Sequence, residues 1–394
     1  MTKDLTEFTV EDMAGFFRHF VTEVRSCPLY VALCELIAEE PIALGMYANV
    51  PGTQRRPNLL LAALHYSVLR DSLHPLATWF KTVNGRRSPN TSDPTDLRAA
   101  LHSFLAERRD ELETLVSTGA TQTNEVGRSA LILPALAVLR GEQTKLVAIV
   151  EIGTSAGLNL RPDSYAITYR NANGTSTSVG PDNSTVRIVT DTSQTVEPLP
   201  FEAIHSLRIG SRIGVDLNPL DVNDEFQARW LCALIWPDDL PRFLRLRAAL
   251  ALAATNPIPI HQGDAVETVG IHIDSVPAEQ YPVLLTTWAL TYLTEPHRRA
   301  FTAALDDAAK KRDFAWITME HPEYAKGLPW PEAVTRAWRK TALDPTTPWG
   351  AMALSGTPLI VYRYANGVRS SQWIATVHAH GNWMVWHPTN PPVS

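Results

Sequence analysis

The sequence feature that most restricts the fold is a short apolar run followed by an acidic residue and a glycine-rich turn. Residues 147–160 read V-A-I-V-E-I-G-T-S-A-G-L-N-L. The run Leu146–Val150 is too short for a helix and rich in β-branched residues, which predicts a buried parallel strand. Gly153 and Gly157 flank Ser155 in a turn where the backbone can approach a ligand. A strand, a glycine turn and a helix are typical of nucleotide pockets, although such turns also occur without a ligand.

After Gly141 the sequence alternates between predicted strands and predicted helices, which is the pattern of a parallel sheet. An antiparallel pair of strands is predicted to finish the chain. The strands are predicted at Leu146–Glu151, Ser211–Asp216, Ile258–His261, Val283–Thr287 and Phe314–Met319, the helices at Asp224–Trp236, Pro241–Ala254, Pro296–Lys311 and Pro331–Lys340, and the terminal pair at Pro358–Tyr364 and Trp373–His380, with Trp383–Trp386 continuing the last strand.

A segment between the first two parallel strands breaks this alternation. It combines β-forming residues with Asn-Gly and Gly-Pro-Asp-Asn turns, which predicts an antiparallel hairpin insertion on the surface over about residues 164–208. Its strands are predicted at Tyr165–Arg170, Thr175–Val179 and Val186–Thr190.

The first 140 residues have apolar residues at helical spacing and contain no convincing strand, which predicts an all-α N-terminal domain, residues 1–140. This domain is expected to act as a lid or substrate domain beside a Rossmann-like domain over residues 141–394. The fold class is therefore α/β. The helices are predicted at Val10–Val24, Leu29–Ala38, Asn58–Asp71, Pro75–Thr82, Thr95–Thr118 and Asn124–Arg140.

Composition narrows the function classes. The net charge of -6 over 394 residues argues against a protein that binds nucleic acid by neutralising phosphates. Cys27, Cys34 and Cys232 are odd in number and lack metal-ligand spacing, so neither a disulfide framework nor a metal site is predicted. Because no apolar stretch could span a bilayer and the N-terminus lacks a signal-peptide core, we expect no membrane partner and a cytoplasmic location.

Acidic residues end three of the predicted parallel strands. Glu151 precedes the glycine turn, Asp216 lies in G-V-D-L-N-P, and Asp264 lies in H-Q-G-D-A. Carboxylates at the carboxyl ends of adjacent parallel strands meet in one crevice, where they can accept hydrogen bonds from ribose hydroxyls or an adenine amino group. An aspartate in this position also commonly caps a helix. Asp221 or Asp224 could replace Asp216, although both suit the start of a helix.

This arrangement resembles the class I S-adenosylmethionine-dependent methyltransferases, from about Lys145 to the C-terminus. The acidic strand end, the glycine turn, two further strand-end acids and the terminal antiparallel pair carry the resemblance. It implies bound S-adenosylmethionine, with a serine where the family has its central glycine and a long insertion after the first strand. The implied cofactor-binding residues are Glu151, Gly153, Ser155 and Gly157 on the methionine and ribose side, Asp216 at the ribose, and Asp264 with Ala265 at the adenine.

The whole chain also resembles a bacterial family known mainly as a domain of unknown function, DUF2332. The phrases Q-T-N-E-V-G-R, E-I-G-T-S-A-G-L-N-L and G-V-D-L-N-P-L-D-V carry this resemblance. It spans nearly the full length and implies little chemistry.

Several residues outside the turn are candidates for binding or catalysis. In Q-T-N-E-V-G-R, Asn124 could cap a helix with Glu125 in its first turn. Arg128 could also grip the cofactor or substrate carboxylate while Glu125 and Gln122 orient it, and both interpretations can hold at once. Trp288 follows the fourth parallel strand, where its ring could pack against a sulfonium or simply belong to the core. The remaining candidates are Tyr292, which follows Trp288, and the acid–base pair Glu320 and His321, which follows the fifth strand. His65 is predicted to be a core histidine.

These features predict an enzyme that transfers a methyl group to the oxygen or nitrogen of a small molecule. Two alternatives stay open: a cyclase or lyase of the same fold that uses bound S-adenosylmethionine, and a non-catalytic nucleotide-binding module. A nicotinamide-dependent oxidoreductase is disfavoured by the terminal antiparallel strands. We expect a small-molecule substrate, and the choice between monomer and homodimer stays open.

Overall fold

A computed structural model describes residues 9–51, 54–90, 92–142, 145–194, 198–341 and 356–387. The chain forms two compact units. One comprises Met1–Thr123 and Asp221–Arg247, and the other comprises Asn124–Leu220 and Ala248–Ser394. The segment Asp221–Arg247, from the middle of the chain, thus belongs to the helical unit. The helix that precedes the first parallel strand belongs to the unit that contains the sheet.

The first unit has a helical core, and its described residues contain no strand, as the sequence predicts. Large apolar side chains such as Phe17, Tyr30 and Phe104 are buried in this core together with Trp230 from the later segment. The α-helices of the chain are α1 (Val10–Phe20), α2 (Pro28–Ile37), α3 (Pro41–Gly45), α4 (Pro57–Arg70), α5 (Thr95–Glu107), α6 (Arg109–Thr118), α7 (Ser129–Glu142), α8 (Phe201–Ser206), α9 (Glu225–Ala233), α10 (Leu240–Thr255), α11 (Ala265–Ser275), α12 (Glu295–Ala308) and α13 (Glu332–Thr341).

Three predicted helices differ in detail. The predicted helix Thr95–Thr118 is interrupted at Arg108, whose φ of -115° and ψ of 18° leave the helical region. Pro75–Thr82 forms 3₁₀ turns. Asn124–Arg140 begins as a 3₁₀ turn, Val126–Arg128, and only then becomes α7.

The second unit is organised around one large mixed sheet. Its strands in the described part of the chain lie in the order β3-β2-β4-β11-β10-β9-β8-β7-β1-β5-β6. They are β1 (Leu146–Ile152), β2 (Ala166–Asn171), β3 (Ser176–Val179), β4 (Arg187–Gln194), β5 (Ile209–Asp216), β6 (Ile260–Gln262), β7 (Gln280–Thr287), β8 (Phe314–Met319), β9 (Thr357–Ala365), β10 (Val368–Val377) and β11 (Trp383–Trp386).

The five strands β6-β5-β1-β7-β8 are all parallel, as the sequence predicts. Counted along the chain their order is 3-2-1-4-5, the order of a doubly wound sheet. Val150 and Ile152 of β1 pack with Val269 and Ile273 of α11 on one face. Because side chains alternate along a strand, the intervening residues face the other side, where α7 contacts β1.

The predicted hairpin insertion is part of the sheet, so its interpretation as a surface excursion is wrong. β2 and β3 do form an antiparallel hairpin. However, β4 pairs in parallel with both β2 and β11. Thr190 Oγ1 donates to the carbonyl oxygen of Gly381 at 2.7 Å, and Ile188 is buried. The partner strand comes from the far end of the chain, which local sequence patterns do not reveal.

The terminal antiparallel pair is confirmed, with β9 paired to both β8 and β10. The prediction that Trp383–Trp386 continues the last strand is wrong. The chain reverses at Gly381, whose φ is +79°, and β11 returns antiparallel to β10.

Candidate functional site

The candidate residues lie at the carboxyl ends of the five parallel strands. In a doubly wound sheet, ligands bind in the crevice beside the point where the strand order reverses. Here that point lies between β1 and β7, because the chain builds outward from β1 to β6 and then crosses to β7. The turn after β1 and the turn after β7 therefore border the expected crevice.

The turn after β1 is tied to the end of β5. The amide nitrogens of Gly153 and Thr154 both donate to the carbonyl oxygen of Val215, at 2.8 and 3.2 Å. The Asp216 carboxylate accepts from the Ser155 amide at 2.7 Å and from the Asn218 amide at 2.9 Å. Asp216 is therefore beside the glycine turn, as the strand-end pattern predicts, and it holds that turn in place.

Ser155 has an unusual backbone and an unusual side chain. Its φ is +55°, between two glycines that also have positive φ, at +74° and +70°. This left-handed conformation is strained for a residue with a Cβ atom. The Ser155 side chain is only 2% exposed, and its hydroxyl has no hydrogen-bond partner among the described residues. A buried hydroxyl without a partner loses the bonds that it made to water, so it marks a place where a ligand could bind.

Gly153 is constrained by contact as well as by φ. A Cβ atom there would lie 2.3 Å from the Cβ of Ala289, in the turn after β7. The two turns at the edge of the crevice therefore touch at this position, and only glycine fits between them.

Trp288 in the turn after β7 repeats the features of Ser155. Its φ is also +55°, and its buried indole nitrogen has no partner among the described residues. The indole ring stacks on His321 at a centroid distance of 6.3 Å and lies tilted against the Tyr324 ring at 6.2 Å. Among the described residues with positive φ other than glycine, the remaining two are Asn84 and Asn366. Asparagine tolerates this conformation, so the strained residues are Ser155 and Trp288.

Glu320 supports the turn that carries Trp288. Its fully buried carboxylate accepts hydrogen bonds from the amides of Ala289, Leu290 and Thr291 at 2.9, 3.1 and 3.3 Å. Burial raises the pKa of Glu320 to about 7, against the opposing effect of these N–H groups and of Arg128. This geometry gives Glu320 a positioning role.

Glu151 ends β1 and is also fully buried. Thr154 Oγ1 donates to its carboxylate at 2.5 Å. Burial raises the pKa of Glu151 to about 8, while Thr154 and the Arg128 charge act in the opposite direction. The guanidinium of Arg128 therefore acts on both buried carboxyl groups, Glu151 and Glu320.

Arg128 is itself buried, with 9% of its surface exposed. Its Nε donates to the carbonyl oxygen of Ala379 and one terminal nitrogen donates to that of Thr287, both at 2.9 Å. Glu125 accepts from the amide of Gly127 at 2.9 Å and caps the 3₁₀ turn. Arg128 thus holds the protein's own backbone at the end of β7 and before β11, and Glu125 holds the backbone of the 3₁₀ turn.

Asp264 caps α11, because its Oδ1 accepts from the amides of Val266 and Glu267 at 2.8 and 3.3 Å. The helix-cap interpretation is confirmed. No described residue donates a hydrogen bond to its Oδ2. Ala265 is the first residue of α11.

Other candidates lie apart from this network. Tyr292 is 73% exposed on a 3₁₀ turn. Asp224 caps α9, as predicted. His65 is confirmed as a core histidine, with hydrogen bonds to the Ala233 carbonyl and the Thr82 hydroxyl at 3.0 and 2.8 Å. The three cysteines are buried and unbridged, and the described residues contain no group suited to hold a metal ion.

Sequence reasoning gave Asn124 a different role and missed Asn159. Asn124 does not cap a helix but accepts from the Leu158 amide at 3.0 Å, which fixes the far end of the glycine turn. Asn159 accepts from the Ser129 hydroxyl at 3.1 Å. The polar residues in Q-T-N-E-V-G-R and G-L-N-L were the available signal, since buried amide side chains need partners.

Within the described part of the chain, no helix is long and apolar enough to cross a membrane. One known family matches residues 15–386, and its description is an uncharacterized protein conserved in bacteria (DUF2332). The chain belongs to this family, as the three sequence phrases predict. No curated protein matches the chain.

Proposed function

We propose that this member of the DUF2332 family is an S-adenosylmethionine-dependent methyltransferase that acts on a small molecule. The observation that carries the proposal is the pairing of Ser155 and Trp288 across the point where the strand order reverses. Each has a strained backbone, and each has a buried polar atom without a partner among the described residues. Strain of this kind costs about 1–3 kcal/mol per residue and persists where the surroundings enforce it, typically at ligand sites.

The acids on neighbouring strands support a nucleoside ligand. β1, β5 and β6 are adjacent, and they end in the glycine turn, Asp216 and Asp264 respectively. An acid at the end of the strand beside the glycine turn is the usual ribose-binding group in sheets of this order. Asp264 uses Oδ1 for its helix, so Oδ2 is the atom proposed to accept from the adenine amino group.

The residues present fit this cofactor. Ser155 offers a hydroxyl, Asp264 an acceptor oxygen and Trp288 an N–H donor, and S-adenosylmethionine carries complementary hydroxyl, amino and carboxylate groups. When bound, it supplies an activated methyl group. The Trp288 ring can stabilise a positive charge on its face. Glu320 fixes the turn that positions this ring, and His321, stacked on it, is the proposed proton acceptor for the substrate.

Calorimetric titration with S-adenosylhomocysteine tests the binding part of the proposal. We expect saturable binding by the wild-type protein. Ser155→Ala and Trp288→Phe each remove a polar atom that has no described partner. Stability should not fall in Ser155→Ala and should fall modestly in Trp288→Phe, whose ring is smaller, whereas affinity should drop about tenfold for each lost hydrogen bond. Ser206→Ala, which alters an exposed hydroxyl on α8, is the matched control. Absence of binding by the wild-type protein would refute the proposal.

Methyl-labelled S-adenosylmethionine tests the reaction itself. The protein is incubated with the label and a small-molecule extract of bacterial cells, and we expect label in a new product. Cofactor binding without label transfer would reject methyl transfer and favour the non-methylating enzyme or the binding module.

A further inference from the structure

A cavity in the sheet unit contains a buried arginine whose side chain makes no hydrogen bond to the described residues. The cavity has a volume of about 310 Å³ and is lined by Arg161, Ser164, Arg212, Leu252, Asn256 and Ile258. It lies beyond the glycine turn, where the chain leaves the 3₁₀ turn Leu158–Leu160. The proposed methyltransferase function assigns no role to this cavity.

Arg161 is only 5% exposed, and its Nε has no partner among the described residues. No other hydrogen bond from its guanidinium to the described part of the chain is present either. A guanidinium has five N–H donors, and burying even one of them without an acceptor is unfavourable. Burial accordingly lowers the pKa of Arg161. A bound acceptor inside the cavity would remove this penalty.

The guanidinium of the neighbouring Arg212 already has hydrogen-bond partners. Its two terminal nitrogens bind Asp163 in a bidentate pair at 2.7 and 2.6 Å, and one of them also donates to the Leu160 carbonyl oxygen at 2.9 Å. Arg212 and Asp163 are the charged side chains that act on Arg161, and their charges cancel. The cavity therefore has a net charge of about +1, which a single negative charge neutralises.

The lining of the cavity also includes the apolar side chains of Leu252 and Ile258. From the bare guanidinium, the single uncompensated charge and these apolar walls, we infer that this cavity binds a small organic monocarboxylate through Arg161. A planar carboxylate accepts two parallel hydrogen bonds from a guanidinium, and its apolar body fills the remaining volume. Because the cavity is separate from Ser155 and Trp288, this inference does not depend on the proposed cofactor.

Calorimetry on the full chain tests the inference with hexanoate, its uncharged amide hexanamide, and inorganic phosphate. We expect hexanoate to bind one site per chain, and to bind more tightly than hexanamide or phosphate. Arg161→Gln should weaken hexanoate binding about tenfold or more. Arg208→Gln, an exposed arginine whose partners are the backbone carbonyls of His205 and Leu207, is the matched control and should bind hexanoate like the wild type.

A second variant covers the case in which Arg161→Gln does not fold. Leu252→Trp keeps both arginines but reduces the volume of the cavity, and it should abolish hexanoate binding. No hexanoate binding by the wild type, equal binding of hexanamide, tighter binding of phosphate, or unchanged binding in either cavity variant would overturn the inference. Titration with S-adenosylhomocysteine in the same samples reports separately on the proposed cofactor site.

Discussion

Turns in the two halves of the large sheet reach left-handed backbone with different residues. The β2–β3 hairpin turns at Gly174 and the β9–β10 hairpin at Asn366 and Gly367, residue types that accept positive φ readily. The turn after β1 places Ser155 between Gly153 and Gly157, all three with positive φ, and the turn after β7 uses Trp288. Folding alone accounts for the residues of the hairpin turns. The turns at the crevice retain backbone strain and buried polar atoms that folding does not require. This contrast is the main physical evidence for a ligand site.

The largest loss of stability is expected where an added side chain occupies the space between the two crevice turns. Gly153→Ala combines a left-handed backbone penalty with a Cβ atom 2.3 Å from that of Ala289, so the free energy of unfolding should fall by about 3–4 kcal/mol. Gly174→Ala has a similar φ, +85°, but no atom lies within 4 Å of the added Cβ, so it should lose only about 1–2 kcal/mol. Denaturant unfolding measures both. Equal losses would show that contact between the crevice turns is not what constrains Gly153.

The buried carboxyl group of Glu151 should make stability depend on pH. Its pKa of about 8 in the folded protein lies above the ordinary value of 4.5, so the folded state binds the extra proton. Its stabilising contribution is therefore complete below pH 4.5 and is lost as the pH rises through 8. Glu151→Gln should flatten this decline by about 1 kcal/mol per pH unit between pH 5 and 8.

Urea unfolding at a series of pH values measures that slope. Glu202→Gln, an exposed glutamate on α8, should leave the slope of the wild type unchanged. A slope in Glu151→Gln that matches the wild type would contradict the assignment of a buried, proton-binding Glu151.

Replacing a residue of positive φ by glycine should change stability differently in the crevice turns and in the hairpin turns. Ser155→Gly removes the Cβ from a strained position, so it should raise the free energy of unfolding by up to about 1 kcal/mol. Asn366→Gly should change it by less than about 0.5 kcal/mol, because asparagine already tolerates this backbone. If thermal unfolding shows the same change for both variants, the strain assigned to Ser155 is absent.

The smallest change in stability is expected at Asp264. Asparagine caps a helix about as well as aspartate, so Asp264→Asn should shift the free energy of unfolding by less than about 0.5 kcal/mol. It removes the charge, however, and should weaken S-adenosylhomocysteine binding about tenfold. Unchanged affinity in this variant would restrict Asp264 to its role as a helix cap.

Much of the parallel half of the sheet could be predicted from the sequence. Residues 147–150 of β1 and Phe314–Met319 of β8 are buried on both faces, so their continuous apolar character identifies them directly. Asp216 was predicted beside the glycine turn because it ends the next parallel strand along the chain, although β5 itself is only partly buried. A strand can be predicted from the sequence when the pattern that identifies it lies within one segment of the chain.

The other half depends on pairing between distant segments. β4 reads R-I-V-T-D-T-S-Q and is mostly polar, which suits a surface hairpin, yet it pairs with β11 from almost two hundred residues further along the chain. Arg128 is similar, because its partners, the carbonyls of Thr287 and Ala379, come from β7 and the loop before β11. Its charge suggested a ligand contact, whereas the contacts that determine its position are long-range and leave no local pattern.

A crystal structure of the protein soaked with S-adenosylhomocysteine tests the central claim most directly. We expect density for the ligand at the carboxyl ends of β1 and β7, with hydrogen bonds to the Ser155 hydroxyl and the Trp288 indole nitrogen. Density at another location, or a crevice in which both atoms still lack a ligand partner at saturating concentration, would contradict the account.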